Sequence, residues 1–454
     1  MTKVTIIGAG SYAWGPTFLR DIFVTPALRG ATVCLHDIDA ERLDLNDRLG
    51  KKMLADFGFD LRLEKTLSLS EALTGADFII LTITTGGLDA MRPDLEIPWK
   101  YGIRQSVGDT VGPGGIARAL RSVPIVAEIG QRVEMLCPQA FFLNYTNPLS
   151  ILTRVLDMQR SVRGRTIGLC HEWIGVREKL AAAFSVEPGQ VTGQVGGINH
   201  FIWATDLYAA GRRVWEEVPG LVAKILSGEF DHDPDDHTIF VDKGRVKARL
   251  FQLYGALPVA GDRHIAEFIP SILCAETNWG ADFGFKLTSV EDRAALMFFA
   301  RSMIESVLAG ETPLEPFMQD LSGEAANQIL SAVVCGGRYS GILNLPNAGQ
   351  IRNLPGGSVV ETFGTIEAGG AKAESYGDLP VGIQALVERH VRNQDMTLAA
   401  ALSGDRALAL QALLNDPLTE RLPVDLAEKM LDELLAANRA YLPLFFNHKE
   451  DSHV

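Results

Sequence analysis

"VTIIGAGSYAWGPTFLRDIF", residues 4–23, decides the fold: an apolar, β-branched run meets glycine at positions 8 and 10 and passes directly into a helical pattern. Gly8, Gly10 and Ala13 stand in the spacing G-x-G-x-x-A between strand and helix, the order of a βαβ dinucleotide-binding unit. Gly8 permits the tight turn. The bare backbone at Gly10 lets a pyrophosphate come close, and the helix N-terminus then holds it. The next apolar run, "ATVCLHDID" at 31–39, ends in Asp37 with Asp39 close behind. An acid at that strand end accepts hydrogen bonds from the adenine ribose and repels a 2'-phosphate, which favours NAD over NADP, although Arg42 lies near in sequence.

Working outward, strand-length apolar runs recur at "ADFIILTITT" (76–85), "AFFLNYTNP" (140–148) and "RTIGLCH" (165–171), with helical patterns between them. Runs apolar on both faces belong to parallel sheets covered by crossover helices. The sequence therefore predicts an α/β protein, with a Rossmann-like doubly wound parallel sheet over residues 1–190. Beyond 190 the pattern changes. "HFIWATDLYAAGRRVW" (200–215) reads as extended, and amphipathic helices follow around 237–254, 287–308, 323–335, 380–403 and 424–441. "GRYSGILNLPNAGQIRNLPGGSVVETFGTI" (337–366) has the glycine, proline and asparagine punctuation of strands joined by tight turns. A second, mixed α+β, helix-rich lobe over 191–454 is expected to carry substrate, metal and oligomer contacts, with ligands in the cleft between the lobes.

A chain of 454 residues is too long for one ordinary core, which agrees with two lobes. The formal net charge of −14 disfavours nucleic acid and anionic membrane surfaces. No apolar run is long enough to span a bilayer, and the N-terminus enters a strand without a signal-peptide pattern, so a cytoplasmic protein is expected. Five scattered cysteines without a CxxC pair fit a reducing compartment and no disulfide framework.

Several segments carry chemistry. "NYTNPLS" (144–150) follows a strand and would line the nicotinamide end of the sheet, with Asn144 and Asn147 as candidates to enter the cleft. "VGDTVGPGGIARALRSVPIVAEI" (107–129) is a glycine turn opening a helix, with Arg118 and Arg121 one turn apart as a site for hydroxyls or a carboxylate. "IGLCHEWIG" (167–175) sets Cys170 beside His171, and "VGGINHF" (195–201) presents His200. "LYGALPVAGDRHIAEFIP" (253–270) brings Tyr254, Asp262, Arg263, His264 and Glu267 into one short segment.

Together with "GAGS", "DID", "TNP", "LFQLYGALPVAGDRH" and "LPNAGQIRNLP", these segments make the chain similar to glycoside hydrolase family 4 over nearly its whole length. The resemblance implies a glycosidase using NAD and a divalent cation, usually Mn²⁺. Sugar C3 is oxidised by NAD, the C2 proton becomes acidic and is removed, the aglycone leaves, water adds, and C3 is reduced again; paired-carboxylate glycosidases work otherwise. It implies Cys170 and His200 as metal ligands, leaving open positions for sugar oxygens. Zinc is equally compatible by intrinsic affinity. Gly8, Gly10, Ser11, Asp37 and Asn147 would hold the cofactor. Asp262 is the expected base, with Tyr254 the alternative. His171 would contact sugar hydroxyls or protonate the departing oxygen, and Asn147, Glu172, Arg118, Arg263 and His264 would bind substrate. A histidine after Cys170, where phospho-glycosidases of the family carry Asn or Asp, implies an unphosphorylated α-galactoside, α-glucoside or α-uronide. A uronide needs a cationic clamp, for which Arg104, Arg118, Arg121 and Arg263 are candidates. A homo-oligomer, dimer or tetramer, is expected. The competing readings are an NAD-dependent sugar or 2-hydroxy acid dehydrogenase and a non-catalytic dinucleotide sensor.

Overall fold

In the computed structural model, residues 1–229 and 241–446 are described. Six strands form the parallel part of one sheet: β1 (Lys3–Ile7), β2 (Thr32–His36), β3 (Arg62–Thr66), β4 (Phe78–Leu81), β5 (Phe141–Asn144) and β6 (Thr166–Gly168). Their order, β3-β2-β1-β4-β5-β6, is that of a doubly wound sheet. Five of these were anticipated. The sixth, β3, reads RLEKT and is largely solvent-exposed at the sheet edge, so it carries no apolar run by which to recognise it.

The sheet continues past β6. β7 (Val191–Ile198), β8 (Phe201–Ala209), β9 (Arg212–Arg213), β10 (Leu257–Pro258), β11 (Tyr339–Pro346), β12 (Val359–Glu367) and β13 (Gly370–Ala373) extend it, with β11 antiparallel to β6 through Asn344 opposite Gly168. Beyond β11 the order is β12, β7, β8, β10, and one sheet thereby crosses residue 190.

Side-chain alternation along the parallel strands builds two cores. Val4, Ile6, Phe78, Ile80, Phe141 and Leu143 face one layer, where the helices Trp14–Phe23, Ala40–Phe57, Val290–Ala309 and Ala325–Val334 cover them. Ile7, Ile79, Leu81 and Phe142 face the other, under Gly112–Leu136 and Leu149–Met158. The helices Val381–Ser403, Arg406–Asn415 and Val424–Ala437 return to this second layer, against the N-terminal sheet.

The amphipathic helices expected after residue 237 occur as Arg245–Tyr254, Val290–Ala309, Ala325–Val334, Val381–Ser403 and Val424–Ala437; positions 237–240 of the first lie outside the described residues. No helix among the described residues is long and apolar enough to cross a membrane. Cys34, Cys137, Cys170, Cys274 and Cys335 are all free thiols.

Candidate active site

At the carboxyl ends of β1, β2 and β4 the chain converges so tightly that side chains are excluded. Gly8 has φ +92°, and a Cβ there would lie 2.2 Å from the Thr82 carbonyl oxygen just beyond β4. A Cβ on Gly10 would lie 2.7 Å from Asp37 Oδ2, the atom to which the Gly10 N–H donates, also at 2.7 Å. Ser11 Oγ accepts from the Trp14 N–H at 3.1 Å where the helix begins. Arg42 is engaged by Asp39 at 3.1 Å. The result is a bare-backbone turn ending in an acid, suited to a dinucleotide without a 2'-phosphate.

A path of contacts leads from this turn to a second centre. Thr146 Oγ1, beyond β5, accepts from the Ile83 N–H at 3.0 Å; the next residue, Asn147, donates its Nδ2 to Asp109 Oδ2 at 3.1 Å. Asp109, His200 and His264 present ligand atoms that all lie within 4.8 Å of one another. The His200 and His264 rings are 3.9 Å apart. Thr110 Oγ1 engages His200 Nδ1 at 2.9 Å, which leaves the other ring nitrogen for a ligand. His264 Nδ1 is buried with no hydrogen-bond partner. Burial pushes both imidazoles down, His264 to about 3, so both keep their lone pairs at neutral pH. Burial would raise Asp109, but His264, His200 and Arg118 beside it hold its carboxyl below the usual range. One carboxylate, two neutral imidazoles and an orphaned ring nitrogen fit a divalent cation.

Glu172 borders this centre. Its Oε1 lies 3.6 Å from His264 Nε2 and 3.8 Å from His171 Nε2, and its Oε2 accepts the Gly261 N–H. Burial opposes its charge, yet His264, His200, His171 and the Gly261 N–H bring it to about 2. His171 also lies 3.5 Å from Glu324, and its side chain is 58 % exposed, the open ring among these imidazoles. Cys170 is not one of the three clustered donors. Burial raises its thiol well above the ordinary value, Glu361 and Glu172 add to this, and the Glu172 N–H and the Asn199 side chain point at the sulfur. The thiol is therefore held in its protonated form.

The two expected bases lie elsewhere. Asp262 is fully buried, pairs with Lys247 Nζ at 2.9 Å and accepts the Val246 and Lys247 N–H groups at 2.9 and 3.1 Å. Its oxygens are spent on the start of the helix Arg245–Tyr254, and so the structure does not bring it into the cluster. Tyr254 packs its ring edge-on against Trp203, 5.5 Å between centroids. Arg118 donates to the Asn147 carbonyl at 3.1 Å and Arg263 to Thr288 Oγ1 at 3.1 Å. Arg121 is fully buried in a two-pronged pair with Asp94, and Arg104 lies over the rings of Trp99 and Trp279, so both are committed to the scaffold.

Sequence reasoning did not single out Asp109 or Thr110. The signal for Asp109 is an acid three residues ahead of the glycine-led helix at 112, where the glycines by themselves read only as a helix turn.

Comparisons with known proteins agree with this geometry. Residues 3–186 match Family 4 glycosyl hydrolase and residues 195–419 match its C-terminal domain. The chain is 35% identical over 449 residues to an alpha-galacturonidase of Bacillus subtilis (strain 168), covering 95% of this chain and 96% of the other. It superposes on the crystal structure of Bacillus subtilis lplD with a TM-score of 0.87 at 33% identity, covering 96% and 100% of the two chains. A 6-phospho-beta glucosidase from Thermotoga maritima, solved with manganese, NAD+ and glucose-6-phosphate, shares the fold with a TM-score of 0.79 at 22% identity, covering 97% and 99%. An ordinary dehydrogenase is not favoured, because the family match runs through both halves of the chain. The chain belongs to family 4 of the glycosyl hydrolases.

Proposed function

We propose that this enzyme hydrolyses unphosphorylated α-galacturonides with the help of NAD and a divalent cation, Mn²⁺ in the first instance. The observation that carries this is the Asp109, His200 and His264 triple, joined through Asn147, Thr146 and Ile83 to the glycine turn. The similarity to an alpha-galacturonidase supports the uronide, and the histidine after Cys170 supports an unphosphorylated sugar.

Residues 1–190 would carry the nucleotide, with Gly8, Gly10, Ser11 and Asp37 at its adenosine and pyrophosphate end and Asn147 toward the nicotinamide. Residues 191–454 would complete the cation and sugar contacts. Asp109, His200 and His264 would hold the cation, with Cys170 as a further donor. When bound, NAD supplies a hydride acceptor and the cation a Lewis acid for the sugar oxygens.

The side chains do the rest. Thr110 orients the His200 ring through its Nδ1. Asn147 ties the Asp109 carboxylate to the strand end beside the cofactor turn. His171, exposed between Glu172 and Glu324, exchanges protons with solvent and moves one at its ring nitrogen to or from the sugar. Asp262 acts indirectly, by fixing the short helix Asp262–Ala266 on which His264 sits. Five free thiols support a reducing, cytoplasmic setting.

Hydrolysis of 4-nitrophenyl α-D-galacturonide in heavy water, with NAD, Mn²⁺ and a thiol, tests this reading. The released sugar is expected to carry deuterium at C2 without net accumulation of NADH. Product free of deuterium would overturn the oxidative route.

A further inference from the structure

The helix Gly112–Leu136 begins three residues past Asp109, and its first turn holds no acceptor of its own. Val111 stands at the cap position with an aliphatic side chain, and Pro113 has no N–H, so the donors left open are those of Gly112 and Gly114. Both are met from elsewhere in the chain. Gly114 donates to Gln105 Oε1 at 2.7 Å, and Gly112 donates at 3.0 Å to Asp416 Oδ2, 304 positions away. Asp416 is 1 % exposed, and its other oxygen accepts the Leu418 N–H at 2.9 Å. Leu418 closes on the same glycine: a Cβ on Gly112, where φ is +69°, would lie 2.9 Å from Leu418 Cδ1. The acid that the positive end of a helix attracts is thus supplied here by the chain itself.

Asp416 ends the helix Arg406–Asn415 and opens the turn Pro417–Thr419. This corner is braced against the helix Val381–Ser403, because Arg389 Nε donates to the Asn415 carbonyl at 2.8 Å and Asn415 Nδ2 to Asn393 Oδ1 at 2.6 Å. On the other side of Asp109, Glu267 Oε1 accepts the Val107 and Gly108 N–H groups at 2.7 and 2.8 Å. Two buried carboxyl groups therefore bracket residues 109–111. Within that stretch Asp109 accepts from Thr110 Oγ1 at 2.7 Å and from Asn147 Nδ2 at 3.1 Å, while Thr110 Oγ1 also engages His200 Nδ1 at 2.9 Å. So short a span has few torsions in which to absorb a displacement, and a shift of Gly112 is passed on to the carboxylate.

We propose that Asp416 is a positioning residue of the cation site: by capping the helix Gly112–Leu136 from the C-terminal helices, it holds Asp109 in place against His200 and His264. This rests on the cation reading above. Seating of the C-terminal helices is thereby a condition for tight cation binding, whereas the glycine turn at residues 8–10 is held by Thr82 and Asp37 and does not depend on it.

The test is a titration of the NAD-loaded enzyme with Mn²⁺, the free ion being read from its electron paramagnetic resonance signal, beside a calorimetric titration with NAD. Asp416→Ala should weaken Mn²⁺ binding on the order of tenfold, the scale on which groups behind metal ligands act, and leave NAD binding and circular dichroism unchanged. Asp416→Asn offers one acceptor to two donors and should show a smaller loss of the same kind; it decides the matter where Asp416→Ala does not fold. Asp405→Ala removes the cap at the opposite end of the helix Arg406–Asn415, where Asp405 accepts the Ala407 and Leu408 N–H groups at 2.8 and 3.1 Å, and should leave Mn²⁺ binding as it is. Native Mn²⁺ affinity in the folded Asp416 variants, or an equal loss in Asp405→Ala, would overturn the role of Asp416. Equal losses of Mn²⁺ and NAD would make it a folding residue and overturn the role as well. Asp109→Asn should lose most Mn²⁺ binding. Native affinity in that variant would overturn the cation reading and this proposal with it, whereas a loss there with none in the Asp416 variants overturns the proposal alone.

Discussion

Glu267 is 1 % exposed and accepts the Val107 and Gly108 N–H groups at 2.7 and 2.8 Å, immediately ahead of Asp109. It is the buried post to which the Asp109 loop is tied. Burial pushes its carboxyl to about 8, against the pull of those two donors. In the unfolded chain a glutamate titrates near about 4.3. Between these values the folded protein holds a proton that the unfolded chain has lost, so this residue makes stability fall as pH rises from about 4.3 to about 8 and contributes no slope above that. The slope approaches about 1.4 kcal/mol per pH unit at most. Glu267→Gln should flatten it, as measured by urea denaturation across that range. Indistinguishable slopes for the two proteins would rule the group out. In the sequence Glu267 was one of several charged residues in "GDRHIAEFIP", with nothing to mark it as a support, because its partners are backbone groups of a distant loop.

At the scale of elements, the helix Arg245–Tyr254 and the short helix Asp262–Ala266 share one carboxylate. Asp262 caps the first and opens the second, while Lys247 is held jointly by Asp262 at 2.9 Å and Asp242 at 2.7 Å. Asp262→Asn leaves Lys247 with one partner in a buried place, and losing half of such a pair costs about 3–5 kcal/mol. The variant should therefore unfold at distinctly lower denaturant and lose activity in proportion to the disorder of His264. A variant as stable as the native enzyme but inactive would restore Asp262 to the role of base. The elements themselves were legible wherever they carried an apolar period, as in the helix Val381–Ser403 and strands β11 and β12. β3 was not, since an edge strand of charged residues has no buried face to declare it.

Across the whole molecule, the helix Val290–Ala309 is the exception to good coverage. It packs Ile304 and Val307 inward but leaves Phe298 73 % and Phe299 65 % exposed, with Leu296 and Met303, also exposed, on the face of Phe299. Large apolar side chains grouped in this way mark contact surfaces, and a second copy of the chain is the expected cover. The native protein should sediment as more than one chain, and Phe298→Ser with Phe299→Ser should shift it toward a single chain without unfolding it. A native protein that sediments as one chain would sink this expectation.

The amino-acid sequence by itself determined the doubly wound core, the nucleotide turn and the family, because strand period, glycine spacing and motif order are written between near neighbours. Only the tertiary structure decided which acid joins His200 and His264, since Asp109 reaches them from a loop that Glu267 and Asn147 hold in place. It also decided that Asp262 is spent on Lys247 and that Arg121 is spent on Asp94. A carboxylate or guanidinium does the same chemistry anywhere in a chain. Whether it caps a helix, pairs in the core or waits for a ligand depends on the distant groups that folding packs against it.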